Sequence, residues 1–187
     1  MKGYKTKDSV VIAYTGEGKG KTSASLGLIA RALGAGHRVA FIQFIKHWEV
    51  GEHAFLRDIQ PVYKDNLDFC KGGKGFFDAG AMSAKDVSDT EHKQAALNTY
   101  NYALEVASSG EYDLIVCDEI NNAVHDGLLS RDQLQQLIDQ KHKATSICLT
   151  GRNFPDDLLD RADIATDMQK LRHHFDDKFL ANKGIDY

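Results

Sequence analysis

The stretch AYTGEGKGKTSAS, residues 13–25, decides how this sequence is read. It follows the apolar run VVIAY (10–14) and opens a segment whose apolar residues recur at helical spacing. A strand, a glycine-rich turn and a helix N-terminus in succession aim backbone N–H groups and the positive end of the helix at one point. That point suits a phosphate chain, with Lys21 neutralising charge and the Thr22 hydroxyl available to Mg²⁺. The common phosphate loop reads G-x-x-x-x-G-K-[ST]. Here Gly20-Lys21-Thr22 supplies its end, but Thr15 stands where the first glycine belongs, and Gly16 leaves one residue too few between the glycines. The loop residues Thr15, Gly16, Glu17, Gly18, Lys19, Gly20, Lys21, Thr22 and Ser23 are the candidate nucleotide-phosphate-binding set.

Working outward, further apolar runs appear at RVAFIQF (38–44), YDLIVCD (112–118) and TSICLT (145–150), with a weaker ADIATDM (162–168). The first four runs, VVIAY included, are continuous rather than alternating, as strands buried on both faces are. Between them lie helical patterns. Residues 21–33 align Leu26, Ile29, Ala30 and Leu33, with a stop at Gly34 or Gly36. Residues 90–108 align Ala95, Thr99, Tyr102 and Val106, and residues 130–141 start at Ser130 and align Leu134, Leu137 and Ile138. Strands alternating with helices imply β-α-β units. The expected fold is α/β, a RecA-like P-loop three-layer fold with a mainly parallel sheet, in one domain over residues 1–187. Two regions break the rhythm: residues 46–60, which hold Trp48, and the glycine-rich CKGGKGFFDAGAMS (70–83). A long loop in a compact domain is more often functional or mobile than merely connecting.

Composition narrows the function classes. The formal charge of −4 over 187 residues disfavours general binding to nucleic acid or to an anionic membrane. No secretory leader or membrane span is read, and an odd set of three cysteines without a C-x-x-C pair suits reduced thiols in the cytoplasm. The run LIVCDE (114–119) ends a strand with Asp118-Glu119 at the edge where a phosphate loop sits, and such paired oxygens suit Mg²⁺. Arg152, in LTGR (149–152), either reaches phosphate or makes a salt bridge. Phe76 and Phe77 are either satellite core or a platform for a flat ligand, and His173-His174 reads as surface rather than metal site.

Together these segments resemble a family. VVIAYTGEGKGKTSASLGLIARALGAGHRVAFIQFIK, the Gly51-Glu52 pair, YDLIVCDEINNAVHDGLL, LTGR and the end RADIATDMQKLRHHFDDKFLANKGIDY are similar to the P-loop type ATP:cob(I)alamin (corrinoid) adenosyltransferases. That family's loop is the compact G-x-G-K-G-K-T, which Gly16–Thr22 reproduces. The resemblance implies that ATP lies reversed in the loop, presenting the ribose C5′ to cobalt and letting triphosphate leave. It implies ATP, Mg²⁺ and a corrinoid as ligands, Thr22 and Glu119 with Asp118 on the metal, and Phe76 with Phe77 on the corrinoid. It also implies a homodimer and a flavoprotein-type reductant. The family's G-F-x-W segment is departed from at Asp78, which takes the tryptophan's place, and nine residues precede Val10 where many relatives carry a helix. Two alternatives remain at this level: an ordinary P-loop ATPase or kinase, which would want a full-length loop, and a non-catalytic ATP-binding or nucleic-acid module, which would want a basic, aromatic surface.

Overall fold

The computed structural model describes residues 3–46, 48–75 and 87–186. Its six strands are β1 (Val11–Thr15), β2 (Val39–Gln43), β3 (Leu67–Lys71), β4 (Leu114–Asp118), β5 (Ser146–Thr150) and β6 (Ile164–Asp167). They form one sheet in the order β3-β2-β4-β5-β1-β6, and every pairing is parallel. The helices are α1 (Lys21–Gly34), α2 (Gly51–Ile59), α3 (Asp89–Ser109), α4 (Ile120–His125) and α5 (Arg131–Gln140). This is the three-layer α/β arrangement that the run of strands and helices implies.

Side chains alternate across a strand, and here each face has its own core. Ile12, Val39, Phe41, Leu114, Val116 and Cys148 pack with Ile29 and Leu33 of α1 and Leu56 of α2. Ala13, Ala40, Ile42, Ile115, Cys117, Ile147 and Leu149 pack with α3, α4 and α5 on the opposite face. Continuing the period to the strand ends puts Gln43, Asp118 and Thr150 on the α1 face. All three are fully buried. The strand carrying Asp118 is not adjacent to β1, because β5 lies between them. The helix that leaves the phosphate loop closes that gap.

Several local expectations need correction. Ala30 is exposed, and the buried face of α1 runs through Ser25, Ile29, Ala32 and Leu33. The stripe on α3 is His92, Ala96, Thr99, Tyr100, Ala103, Val106 and Ala107, so Ala95 and Tyr102 lie at its margin. The small alanines at 96, 103 and 107 let the helix sit close to the sheet, and this selects that face. Strand β3 and helix α2 went unread. The strand LDFCK is an edge whose polar residues have partners: Asp68 accepts from the Tyr112 hydroxyl at 2.6 Å, and Lys71 pairs with Glu49 at 3.1 Å. Helix α2 buries only His53 and Leu56, too few apolar positions to show a period. The stop of α1 is Gly36, at φ 79, after the C-cap Ala35.

Candidate active site

The phosphate loop joins β1 to α1. Gly16 and Gly20 hold φ of 96 and 108, in the left-handed region that favours glycine. The chain after β6 lies directly on the loop: the Gly18 N–H donates to the Met168 carbonyl at 2.6 Å, and the Met168 N–H to the Thr15 carbonyl at 2.9 Å. A Cβ on Gly18 would stand 2.5 Å from that Met168 oxygen, so no larger residue fits without moving the crossing chain. Lys21 is folded inward, its Nζ donating to the carbonyls of Gly16 and Gly18, the latter at 2.7 Å. Partial burial, with Arg152 nearby, lowers its pKa. Lys19 donates to the Asp186 carbonyl at 2.9 Å, Thr15 Oγ1 accepts from the Phe154 N–H at 3.1 Å, and Ser23 is exposed on the first turn of α1. Arg152 stands 3.4 Å from Glu17, an ion pair at the rim of the loop.

Beside the loop, the Thr22 hydroxyl donates to the Asp118 carboxylate at 3.1 Å. Asp118 also accepts from Thr150 Oγ1 and from Gln43 Nε2, each at 2.6 Å. The Lys46 ammonium lies 3.1 Å from Glu52, 3.6 Å from Glu119 and 3.9 Å from Asp118. Glu119 turns the chain into α4 with φ 63, and its N–H donates to Thr150 Oγ1 at 3.0 Å. Its Oε2 is buried without a hydrogen-bond partner among the described residues. Burial, opposed by Lys46 and helped by the charge of Asp118, pushes the Glu119 carboxyl up to about 7. Burial pushes Asp118 up too, against Lys46 and the Thr150 and Thr22 hydroxyls. Donors surround both Asp118 oxygens, so the ionised carboxylate is the form its pocket fits.

These residues suit a divalent cation. Three acids converge on one ammonium, which leaves negative charge in excess, and the orphaned Glu119 oxygen faces no donor. Among the described residues no group of three or more His, Cys, Asp or Glu side chains is arranged to hold a metal alone. Mg²⁺ is commonly held by one or two carboxylates plus substrate phosphates and water, which is the donor set that Thr22, Asp118 and Glu119 leave room for.

Gln43, Lys46, His53 and Thr150 were not singled out from the sequence, and Glu52 entered only through the Gly51-Glu52 pair, with no role given to it. Gln43 and Lys46 lie in QFIK and Thr150 in LTGR, motifs whose side chains gain meaning only when the strand ends come together. His173 Nδ1 accepts from the Phe175 N–H at 3.0 Å, and His174 Nε2 stands 3.3 Å from the Asp186 carboxylate. Phe76, Phe77 and Asp78 lie outside the described residues. Among the described residues, no helix is long and apolar enough to cross a membrane.

Comparison with known proteins bears on the same residues. The family model for ATP:corrinoid adenosyltransferase BtuR/CobO/CobP matches residues 7–187. The chain is 29% identical to a corrinoid adenosyltransferase of Pseudomonas aeruginosa, over 95% of this chain and 83% of that one. It is 29% identical to one from Escherichia coli, covering 95% and 85%, and 31% identical to one from Sinorhizobium, covering 95% and 80%. With the match spanning both the short phosphate loop and the Asp118-Glu119 pair, the chain belongs to the ATP:corrinoid adenosyltransferase family.

Proposed function

We infer that the protein transfers the 5′-deoxyadenosyl group of ATP to the Co(I) of a reduced corrinoid. Cobalt forms a bond to C5′ with its own electron pair, the C5′–O bond breaks, and triphosphate leaves with the electron pair of that broken bond. The protein needs no side-chain nucleophile; it positions the reactants and stabilises the leaving group. The observation that carries this reading is the 3.1 Å contact between Thr22 and Asp118, which joins the shortened loop to the paired carboxylates.

In this reading Lys19, Lys21 and the loop N–H groups between Gly16 and Ser23, apart from that of Gly18, which Met168 takes, hold the triphosphate, with Thr15 and Glu17 shaping the loop and Arg152 at its rim. Thr22, Asp118 and Glu119 hold Mg²⁺, which when bound draws charge off the departing phosphates. Phe76 and Phe77 contact the corrinoid, and the whole chain acts as one domain. A homodimer, a flavoprotein-type reductant and a cytoplasmic setting complete the proposal. Incubation with MgATP and chemically reduced cobalamin tests it: adenosylated product with triphosphate is expected, whereas free phosphate and unchanged cobalamin would make the protein an ordinary ATPase. Sedimentation equilibrium reads the dimer directly, and a monomer at micromolar concentration would remove it.

A further inference from the structure

Asp118 is held by a chain of side chains that ends on α2. Gln43 is the last residue of β2, in register with Asp118 of β4, and both are fully buried on the α1 face. The Gln43 Nε2 is 2.6 Å from Asp118 Oδ2, and its Oε1 is 2.6 Å from Nε2 of His53. His53 sits in the first turn of α2, fully buried, with its ring 5.5 Å from that of Phe69.

Chemistry fixes the direction of every link. An ionised carboxylate only accepts, so the Gln43 atom facing it is the NH₂ group. The other end of that amide is then its carbonyl oxygen, which requires a donor. Among the described residues the atom offered to it is His53 Nε2, which must carry the proton. Burial lowers the His53 pKa and keeps the ring neutral, leaving Nδ1 as a bare acceptor. Among the described residues Nδ1 is indeed buried without a hydrogen-bond partner, with the Glu49 carboxylate 4.0 Å away.

We propose that His53, acting through Gln43, is a positioning residue that orients the Asp118 carboxylate toward Thr22 and the metal. The neighbouring Glu52 reaches the same site through Lys46 at 3.1 Å, so one turn of α2 is keyed to the carboxylates twice. Outer residues of this kind commonly change metal affinity when removed, by roughly 10- to 100-fold. The proposal rests on Asp118 serving the metal, as inferred above.

The probe is Mn²⁺ in place of Mg²⁺, titrated by electron paramagnetic resonance into the full-length protein with ATP. His53→Leu keeps the bulk and loses the donor, and should weaken Mn²⁺ binding about ten-fold. His53→Gln puts an amide N–H near the position of Nε2 and should restore most of the affinity. Nitrogen NMR of the wild-type histidine should find a neutral ring protonated on Nε2. A proton on Nδ1 would overturn the proposal even if His53→Leu failed to fold, because it reverses the chain. Unchanged Mn²⁺ affinity in a folded His53→Leu would also overturn it. Absence of Mn²⁺ binding by the wild type would instead remove the metal role of Asp118, and the positioning role with it.

Discussion

At the scale of single residues, the site separates groups that bind phosphate from groups that bind the cation. The Lys21 ammonium is spent on loop carbonyls until a phosphate chain arrives. Lys21→Ala should therefore weaken MgATP binding by about 1.5–3 kcal/mol, the range of a hydrogen bond to a charged group, with isothermal titration calorimetry as the check. Glu119 should show itself through pH. Its native carboxyl titrates at about 7, above its ordinary 4.5. The native state thus holds that proton more tightly than the unfolded chain does. Without metal, the resulting stability is fully present below the ordinary value and is lost as pH rises through about 7. Thermal melts in EDTA across that window should fall with pH in the wild type and flatten in Glu119→Gln. Equal slopes would show that another group carries the dependence. Lys21, Thr22 and the Asp118-Glu119 pair were legible in the sequence because each closes a motif. Gln43 and His53 were not, because a buried glutamine at a strand end and a histidine on a charged helix carry no local signal.

At the scale of elements, five segments build the site at the carboxyl edge of the sheet. The β1–α1 loop gives the cradle, the ends of β2, β4 and β5 give Gln43, Asp118 and Thr150, and the first turn of α2 gives Glu52 and His53. The chain after β6 closes the cradle from above through Met168. Gly18→Ala tests that closure. The added methyl would meet the Met168 carbonyl at 2.5 Å, so loop and crossing chain must part. ATP affinity should fall, and hydrogen exchange should rise in residues 167–170 while β4 stays protected. Exchange unchanged at those residues would mean that the loop yields alone. The helix ends show where the sequence speaks for itself: Ser130 caps α5 in a reciprocal box with Gln133, as its position ahead of the apolar stripe suggested. On α3, Thr99 and Val106 were placed on the buried stripe, while Ala95 and Tyr102 were placed one step off it, because alanines on a long, weakly amphipathic helix give no sharp period.

At the scale of the whole molecule, ligand and fold should stabilise each other. A ligand that binds only the native state at about 100 times its Kd adds about 2.7 kcal/mol, which for a chain of this size raises Tm by about 5–10 °C. ATP with Mg²⁺ should produce a shift of this order in a thermal melt, and EDTA should cut it, since the carboxylates then face triphosphate without a cation between them. A shift indifferent to EDTA would place the metal outside the nucleotide site. The sequence by itself determined the parallel α/β class, four central strands, the phosphate loop and the acidic pair, because burial on both faces and glycine-dependent turns are written in short contiguous runs. Only the tertiary structure decided the strand order that inserts β5 between loop and acids, the edge strand β3, and the joining of His53, Gln43 and Asp118. Those depend on which strand ends lie side by side, and pairing between segments tens of residues apart is set by how the two cores pack, which no local run of residues records.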